Sequence, residues 1–399
     1  MKSPVWRAFA LLTLALLVVG IASNANAARR SALAGNYFID DADDMFAFPQ
    51  LYGQYQNMAI IDLAPSNFGY NMNGNASLIW GGEKNTFRFS TGRQDATART
   101  ALYTWGGFDR MPTFGTLPGG LYSTATQARN WQWWDLGWST DLSGKPFGIA
   151  FSWVADANKS DNGAGTVNPD NSFNDFGFQL GYSPSANLDL AAEFGLGSYT
   201  DNTVVAPNPS QDYSSMNFDI TARGRLNNVW GQNWRYLGGF SYAKVSPDAN
   251  GQDDIKETDF RGSFGPVFGT PGQWEVAGYL TLSYAKGENG NDSTTPDDDQ
   301  SLKGLILPGY NLAGEYYMND WFVVRTGVVS SYIFVTEEDG AASDKYRAFE
   351  YTWTTGFGID KDSFGLDFAL DEGHVHSGYF LNGATGGNTF AWISAWFNW

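Results

Sequence analysis

Apolar and polar residues alternate at every second position along most of the chain after residue 56. In residues 187–199 one row is apolar and the other carries acids and glycines; the apolar row is Leu188, Leu190, Ala192, Phe194 and Leu196. Successive side chains of a β-strand point to opposite faces, so this pattern predicts strands with one apolar and one polar face. Residues 213–226, 175–182 and 363–371 repeat it.

The same reading along the chain gives sixteen predicted strands. They lie near 57–64, 75–81, 85–93, 131–141, 146–155, 173–182, 187–199, 213–226, 233–245, 255–268, 273–286, 302–318, 321–335, 346–360, 363–371 and 389–399. The first two are the weakest, so fourteen strands is the alternative. Pro308 predicts a bulge within 302–318, because proline has no N–H for the strand ladder.

Short and long connections alternate between these strands. The short ones are 81–84, 141–145, 183–186, 227–232, 270–272, 319–320 and 361–362, and the long ones are 94–130, 156–172, 200–212, 246–254, 288–301, 336–345 and 372–388. Transmembrane β-barrels combine strands of about ten residues with short periplasmic turns and longer outer loops. We therefore predict an all-β fold, a transmembrane antiparallel up-and-down β-barrel. A half-solvated antiparallel sheet would share the alternation alone.

Composition agrees with an apolar exterior. Aromatic residues make up 16% of the chain, including 16 Trp, and many Trp residues lie at strand ends, as expected for rings at a membrane interface. Carbohydrate-stacking Trp is the alternative for Trp392 and Trp396, which belong to the predicted inner face. The net charge of −18 argues against nucleic acid as a partner, and the absence of cysteine excludes disulfides.

The N-terminus has the three parts of a secretory signal peptide. Basic Lys2 and Arg7 precede the apolar run 8–22, and an A-x-A site ends at Ala27. We therefore assign residues 1–27 to a cleaved signal peptide, 28–56 to a lead-in or plug segment, and 57–399 to the barrel. The acidic stretch 40–49 resembles the N-terminal lead-in of the long-chain fatty-acid channel family, which implies a plug.

The C-terminal strand carries a second resemblance. Its alternate positions are apolar and the chain ends on an aromatic residue; the row is Ile393, Ala395, Phe397 and Trp399. This row resembles the assembly signal of Gram-negative outer-membrane β-barrel proteins. The resemblance implies location in the bacterial outer membrane, with membrane lipid, lipopolysaccharide and the outer-membrane assembly machinery as partners.

Charged residues in the polar rows are the predicted lining of the lumen. The candidates are Arg88, Asp189, Glu193, Asp219, Arg223, Arg225, Arg235, Arg325 and Glu350. Charges of both signs resemble the constriction of general porins, whose third loop folds inward; that resemblance extends the candidates to Arg99, Arg110 and Arg129 in the loop 94–130. Ion pairs that fix strand register, and an outer cap in place of the inward loop, are the alternatives.

These observations favour a porin-like channel for passive diffusion of small hydrophilic solutes. Acids outnumber bases in the predicted lumen, which predicts a mild cation preference. The alternatives are a ligand-specific transporter of apolar compounds and a structural or adhesive barrel. The only histidines, His374 and His376, match no catalytic or metal-binding pattern, so we predict no enzyme activity, cofactor or metal. Solute identity stays open, and a homo-oligomer is compatible with the sequence.

Overall fold

The structure, a computed structural model, describes residues 28–64, 73–82, 84–94, 131–158, 171–201, 211–247, 254–289, 300–339, 342–361, 363–370 and 390–399. Sixteen antiparallel strands form a closed barrel in which each strand pairs with its neighbours in sequence and β1 pairs with β16. The strands are β1 (Met58–Ala64), β2 (Asn73–Gly81), β3 (Asn85–Gln94), β4 (Trp131–Asp141), β5 (Pro146–Asn158), β6 (Asn171–Ser185), β7 (Leu188–Asp201), β8 (Gln211–Val229), β9 (Gln232–Pro247), β10 (Ile255–Thr270), β11 (Trp274–Asn289), β12 (Gln300–Asn319), β13 (Phe322–Asp339), β14 (Ala342–Lys361), β15 (Phe364–Leu370) and β16 (Phe390–Asn398).

This architecture confirms the predicted fold class and the count of sixteen strands. The predicted bulge is also present, because the pairing of β12 with β13 shifts between Ile306 and Gly309, on either side of Pro308. One predicted long connection is wrong. β13 and β14 remain paired as far as Asp339 and Ala342, so residues 336–339 and 342–345 belong to the two strands. Strand pairing continues into this charged stretch, where Lys303 of β12 also forms an ion pair with Glu338 at 2.7 Å.

The apolar rows cover the outside of the barrel. Exposed large side chains recur around it; they include Leu136, Phe151, Phe176, Phe178, Phe194, Leu196, Ile220, Phe260, Leu280 and Leu312. Near the short turns, Trp80, Trp230, Trp274 and Trp321 are exposed, as expected of interfacial rings. A barrel in water would leave this belt unburied, so the outer surface is suited to lipid.

The C-terminal strand closes the barrel. Phe397 of β16 pairs with Ala59 of β1 on one side and with Phe364 of β15 on the other. The backbone N–H of Trp399 donates to the carbonyl of Asn57 at 3.0 Å, which ties the chain end to the start of β1. The row Ile393, Ala395 and Phe397 alternates with the buried Ser394, in the predicted sense. Its use as an assembly signal stays a prediction.

Residues 28–56 precede the barrel and lie inside it; we call them the plug segment. They form helix α1 (Ala28–Ala32), helix α2 (Asp44–Ala47) and a 3₁₀ helix (Pro49–Gln54). Among the described residues, no helix is long and apolar enough to cross a membrane.

Candidate functional site

The plug segment supplies much of the apolar core inside the barrel. Its side chains Phe38, Ile39, Met45, Phe48 and Tyr52 are completely buried. They belong to one apolar cluster with inward residues of the wall; these include Ile60, Ile79, Leu237, Ala277 and Ala313, with Trp396 packed against them. A core of this kind gives the barrel an inner apolar layer that the alternating strands alone do not provide.

Asp44 in α2 is the centre of the plug's ionic contacts. Its carboxylate accepts hydrogen bonds from Arg223 of β8 at 2.6 Å and from Arg30 of α1 at 2.5 Å. Burial alone would raise the pKa of Asp44, but the charges of Arg223 and Arg30 outweigh burial and lower the pKa to about 2. Arg223 also contacts Asp189 of β7 at 3.3 Å. The pair therefore joins plug and wall through a buried, hydrogen-bonded charge.

Asp40 forms a second link to the same side of the wall. Arg235 of β9 donates to both of its carboxylate oxygens, at 2.7 and 2.9 Å, and Arg225 of β8 donates at 3.0 Å. Burial opposes ionisation here too, yet the charge and hydrogen bonds of Arg235 lower the pKa of Asp40. Two plug carboxylates thus engage three wall arginines.

Four strands further round the barrel from β8, the charges of plug and wall are reversed. Arg29 of α1 binds Glu315 of β12 at 2.9 Å, and Glu315 also accepts from Arg325 of β13 at 3.2 Å. Arg325 in turn pairs with Asp367 of β15. A basic plug residue therefore meets an acidic wall here, which fixes the orientation of the segment.

Arg88 of β3 completes the ring of charged contacts. It pairs with Asp135 of β4, and its guanidinium lies over the rings of Phe46 and Tyr52, at 4.4 and 4.8 Å. Amide contacts fill the spaces between the ionic ones. Asn36 donates to Asn311 of β12 at 2.7 Å, and Gln179 of β6 donates to the carbonyl of Ala47 at 3.1 Å.

Glycines of the wall allow the plug to approach the strands. A Cβ on Gly148 of β5 would lie within 2.5 Å of the carbonyl oxygen of Pro49, and one on Gly181 of β6 would overlap the side chain of Gln50. Gly327 of β13 contacts the backbone of Leu33 in the same way. The plug therefore rests against backbone on at least two sides of the barrel.

We expect Gly148→Ala to displace the 3₁₀ helix from the wall, because its methyl group would meet plug backbone rather than a flexible side chain. Hydrogen exchange of the amides of residues 49–54 should become faster while the strand amides keep their protection. Gly262→Ala is the matched control, since a Cβ there meets nothing within 4 Å. Unchanged exchange in the Gly148 variant would contradict this packing.

The predicted lumen residues separate into three groups. Arg88, Arg223, Arg225, Arg235 and Arg325 contact the plug or its partners, and Asp189 pairs with Arg223. Asp219 pairs with Arg261 at 2.9 Å, and its strand neighbour Glu193 is half-buried beside it. Glu350 of β14 pairs in register with Ser331 of β13, but the structure does not describe the Glu350 side chain. Arg99, Arg110 and Arg129 also lie outside the described residues.

Sequence reasoning did not single out the plug's own contributions to the site, Arg29, Arg30, Asp40 and Asp44. Their signal was the charge density of residues 29–44, which precede the first strand but are interspersed with Leu33, Phe38 and Ile39. Such apolar residues favour a buried segment over a solvated one. Among the described residues, no group of three or more potential metal ligands occurs.

No protein-family model matches the chain, and no curated protein matches it. Solved structures with a similar fold include the FrpB iron transporter of Neisseria meningitidis, at 11% identity and a TM-score of 0.37, with 83% of this chain and 63% of that chain covered. The toluene transporter TodX of Pseudomonas putida is another, at 10% identity and a TM-score of 0.34, with 94% of this chain and 97% of that chain covered. A third is a bacterial polysaccharide outer membrane secretin, at 8% identity and a TM-score of 0.44, with 86% of this chain and 97% of that chain covered. The chain thus spans less than two thirds of FrpB.

Three features of the chain's own geometry decide its class: sixteen-strand closure, an apolar outer belt, and buried ion pairs inside the barrel. The chain is an outer-membrane-type transmembrane β-barrel that holds its own N-terminal segment in its lumen.

Proposed function

We propose that this protein is a transport protein of the Gram-negative outer membrane, and that its passage opens only when the plug segment moves. The observation that carries the proposal is the seating of residues 28–56 against the wall by ionic contacts at β8, β9 and β12 and by a cation–π contact at β3. A purely structural barrel has no need of a separate buried segment held by paired charges.

The plug's position favours closure at the periplasmic end. Its wall partners lie near the short turns; Arg225 and Arg235 flank the turn 230–231, and Glu315 and Arg325 flank the turn 320–321. Short turns face the periplasm in barrels of this class. Constitutive diffusion of the kind expected from the sequence would have to pass this segment, so we propose gated rather than permanently open passage.

The wall on the long-loop side of the plug favours small hydrophilic solutes with a preference for cations. Asp219 of β8 and Asp259 of β10 face the lumen there with Arg261 between them, and Glu257 follows on the same row. Three acids against one base leave a net negative potential in this part of the passage. Acidic side chains on a lumen wall repel anions and concentrate cations.

A second candidate, transport of apolar compounds, has its own observation. Ile306, Ile333 and Val335 form a buried apolar cluster on β12 and β13, with Ala348 of β14 packed against it. These residues occupy the inward row on the long-loop side of the plug. An apolar wall on the long-loop side of the plug favours binding of an apolar ligand over a hydrated ion.

Cross-linking the plug to the wall tests gated transport. Asn36 and Asn311 have their amide groups 2.7 Å apart, and the native chain has no cysteine. We expect the Asn36→Cys/Asn311→Cys protein, joined by a short bis-thiosulfonate reagent, to lower solute flux into proteoliposomes to the leak of protein-free vesicles. A reductant should restore the flux of the unreacted double variant. The single variant Asn311→Cys, treated alike, is the control.

The solutes tested are a neutral pentose, potassium ions and a small aromatic hydrocarbon. Restored flux of the first two supports the hydrophilic passage, and restored flux of the hydrocarbon alone supports the second candidate. Flux that persists through the cross-linked protein would show that solutes bypass the plug and would refute the gating proposal.

A further inference from the structure

Asp62 is a buried carboxylate on the inner face of β1. Only 1% of its surface is exposed, and neither carboxylate oxygen makes a hydrogen bond of normal geometry to the described residues. Its cross-strand neighbour on β16 is Ser394, whose hydroxyl interacts with it. Burying an ionised carboxylate without a cation costs free energy, so a positive charge placed near Asp62 would stabilise the folded protein.

The nearby cations are already engaged. Asp41 and Asp367 are the other carboxylates close to Asp62. Arg325 pairs with Asp367 and Glu315, while Arg29 pairs with Glu315 and lies 3.9 Å from Asp41. Among the described residues, Arg29 and Arg325 are therefore already paired with three other carboxylates, and neither is a free partner for Asp62.

The first residue after the predicted cleavage site lies at this point of the wall. The backbone nitrogen of Ala28 donates to the hydroxyl of Ser394 at 2.6 Å, and both residues are buried. Ser394 is paired in register with Asp62 of β1 and with Asp367 of β15. One nitrogen atom of the plug thus lies at a serine that has a carboxylate on either side.

We propose that removal of the signal peptide between Ala27 and Ala28 creates the missing counter-ion, and that the new α-ammonium group of Ala28 docks against Ser394 and Asp62 to seat the plug. This device concerns assembly of the closed state, and so goes beyond the transport function proposed above. It makes plug docking a consequence of correct export.

The chemistry needs only water and a signal peptidase. Hydrolysis of the Ala27–Ala28 amide adds OH to the carbonyl carbon of Ala27 and leaves the nitrogen of Ala28 as an amine, which takes up a proton to become an ammonium group. The uncleaved amide has one N–H and no charge, and that N–H is already given to Ser394. The ammonium group has three N–H donors, enough for Ser394 and a carboxylate oxygen of Asp62.

Amine reactivity tests the ion pair directly. The mature chain, refolded in detergent with Ala28 as its first residue, is treated with an acetylating reagent at pH 7, and acetylation of the N-terminal peptide is monitored by mass spectrometry. We expect Asp62→Asn to react about tenfold faster than the native chain, since one unit of amine pKa changes the free-amine fraction tenfold. Asp62→Glu should stay slow, and Asp320→Asn, in an exposed turn, is the charge-matched control.

A double-change cycle tests docking without relying on one variant. One glycine added before Ala28 moves the ammonium group away from Ser394, and we expect faster hydrogen exchange in residues 29–39. Asp62→Asn should add little to that effect, because both changes remove the same pair. If Asp62→Asn fails to refold, Ser394→Ala with the same extension supplies the cycle.

Three results would overturn the proposal: equal acetylation rates in the native, Asp62→Asn and Asp320→Asn chains, additive effects in the cycle, or a native mature chain that starts at another residue. None of these measurements involves solute passage. Their failure would leave the gated-transport proposal standing, and failure of gating would leave the ion pair standing.

Discussion

Deletion of residues 28–54 is expected to convert a closed barrel into a steadily conducting pore. A barrel of about sixteen strands is wide enough for an aqueous channel when nothing fills it. The deletion removes the buried plug side chains together with Asp40 and Asp44, and it leaves Asn57, whose carbonyl accepts from Trp399, in place. In planar-bilayer recordings, the refolded native protein should therefore give near-baseline current, and the refolded deletion protein should give ohmic current steps.

The selectivity of the opened barrel is part of the same prediction. Without the plug, wall acids outnumber wall bases, and the reversal potential in a salt gradient should report a cation preference. A synthetic peptide of residues 28–56 should lower the current again, which separates plugging from misfolding. A deletion protein that inserts but stays closed would show that another part of the chain blocks the lumen.

The alternating rows were enough to predict the barrel, because the side-chain period of a strand and the two environments of a barrel wall impose the same pattern. Pro308 could be assigned to a bulge for a local reason, the missing N–H. Residues 336–345 were mistaken for a long loop because their charged side chains resemble a solvated connection, whereas pairing between β13 and β14 continues beyond the apolar belt as far as Asp339 and Ala342.

The site was harder to predict than the fold. Arg223, Arg235 and Arg325 could be assigned to the lumen by their row, but row membership does not reveal a partner distant in sequence. Asp44 and Arg223 are 179 residues apart, and only closure of the barrel brings them within hydrogen-bond distance. The short helices in residues 28–56 also lack the periodicity that identifies strands, so the position of the plug segment within the lumen could not be derived from the sequence pattern alone.

Asp44→Asn is expected to loosen the plug by removing the one plug carboxylate that is bound by both α1 and the wall. The substitution leaves Arg223 and Arg30 buried without their common partner, and breaking a buried pair in this way costs about 3–5 kcal/mol. That loss favours the undocked segment and should raise channel activity at pH 7. Asp320→Asn removes an exposed carboxylate in a short turn and should leave activity unchanged.

The same carboxylate predicts an acid-induced opening. The docked pKa of Asp44 is about 2, whereas a free aspartate has a pKa of about 3.9. Because the docked pKa is the lower one, the stabilisation is complete above the free value and is lost as pH falls through the docked value. Native protein should therefore open progressively between about pH 4 and pH 2, with the lowered pKa of Asp40 acting in the same direction. Single-channel recordings across this range, with pepsin cleavage at Phe46 or Phe48 as a second measure, should show a weaker pH dependence in Asp44→Asn. The same pH profile in both proteins would mean that Asp44 does not control docking.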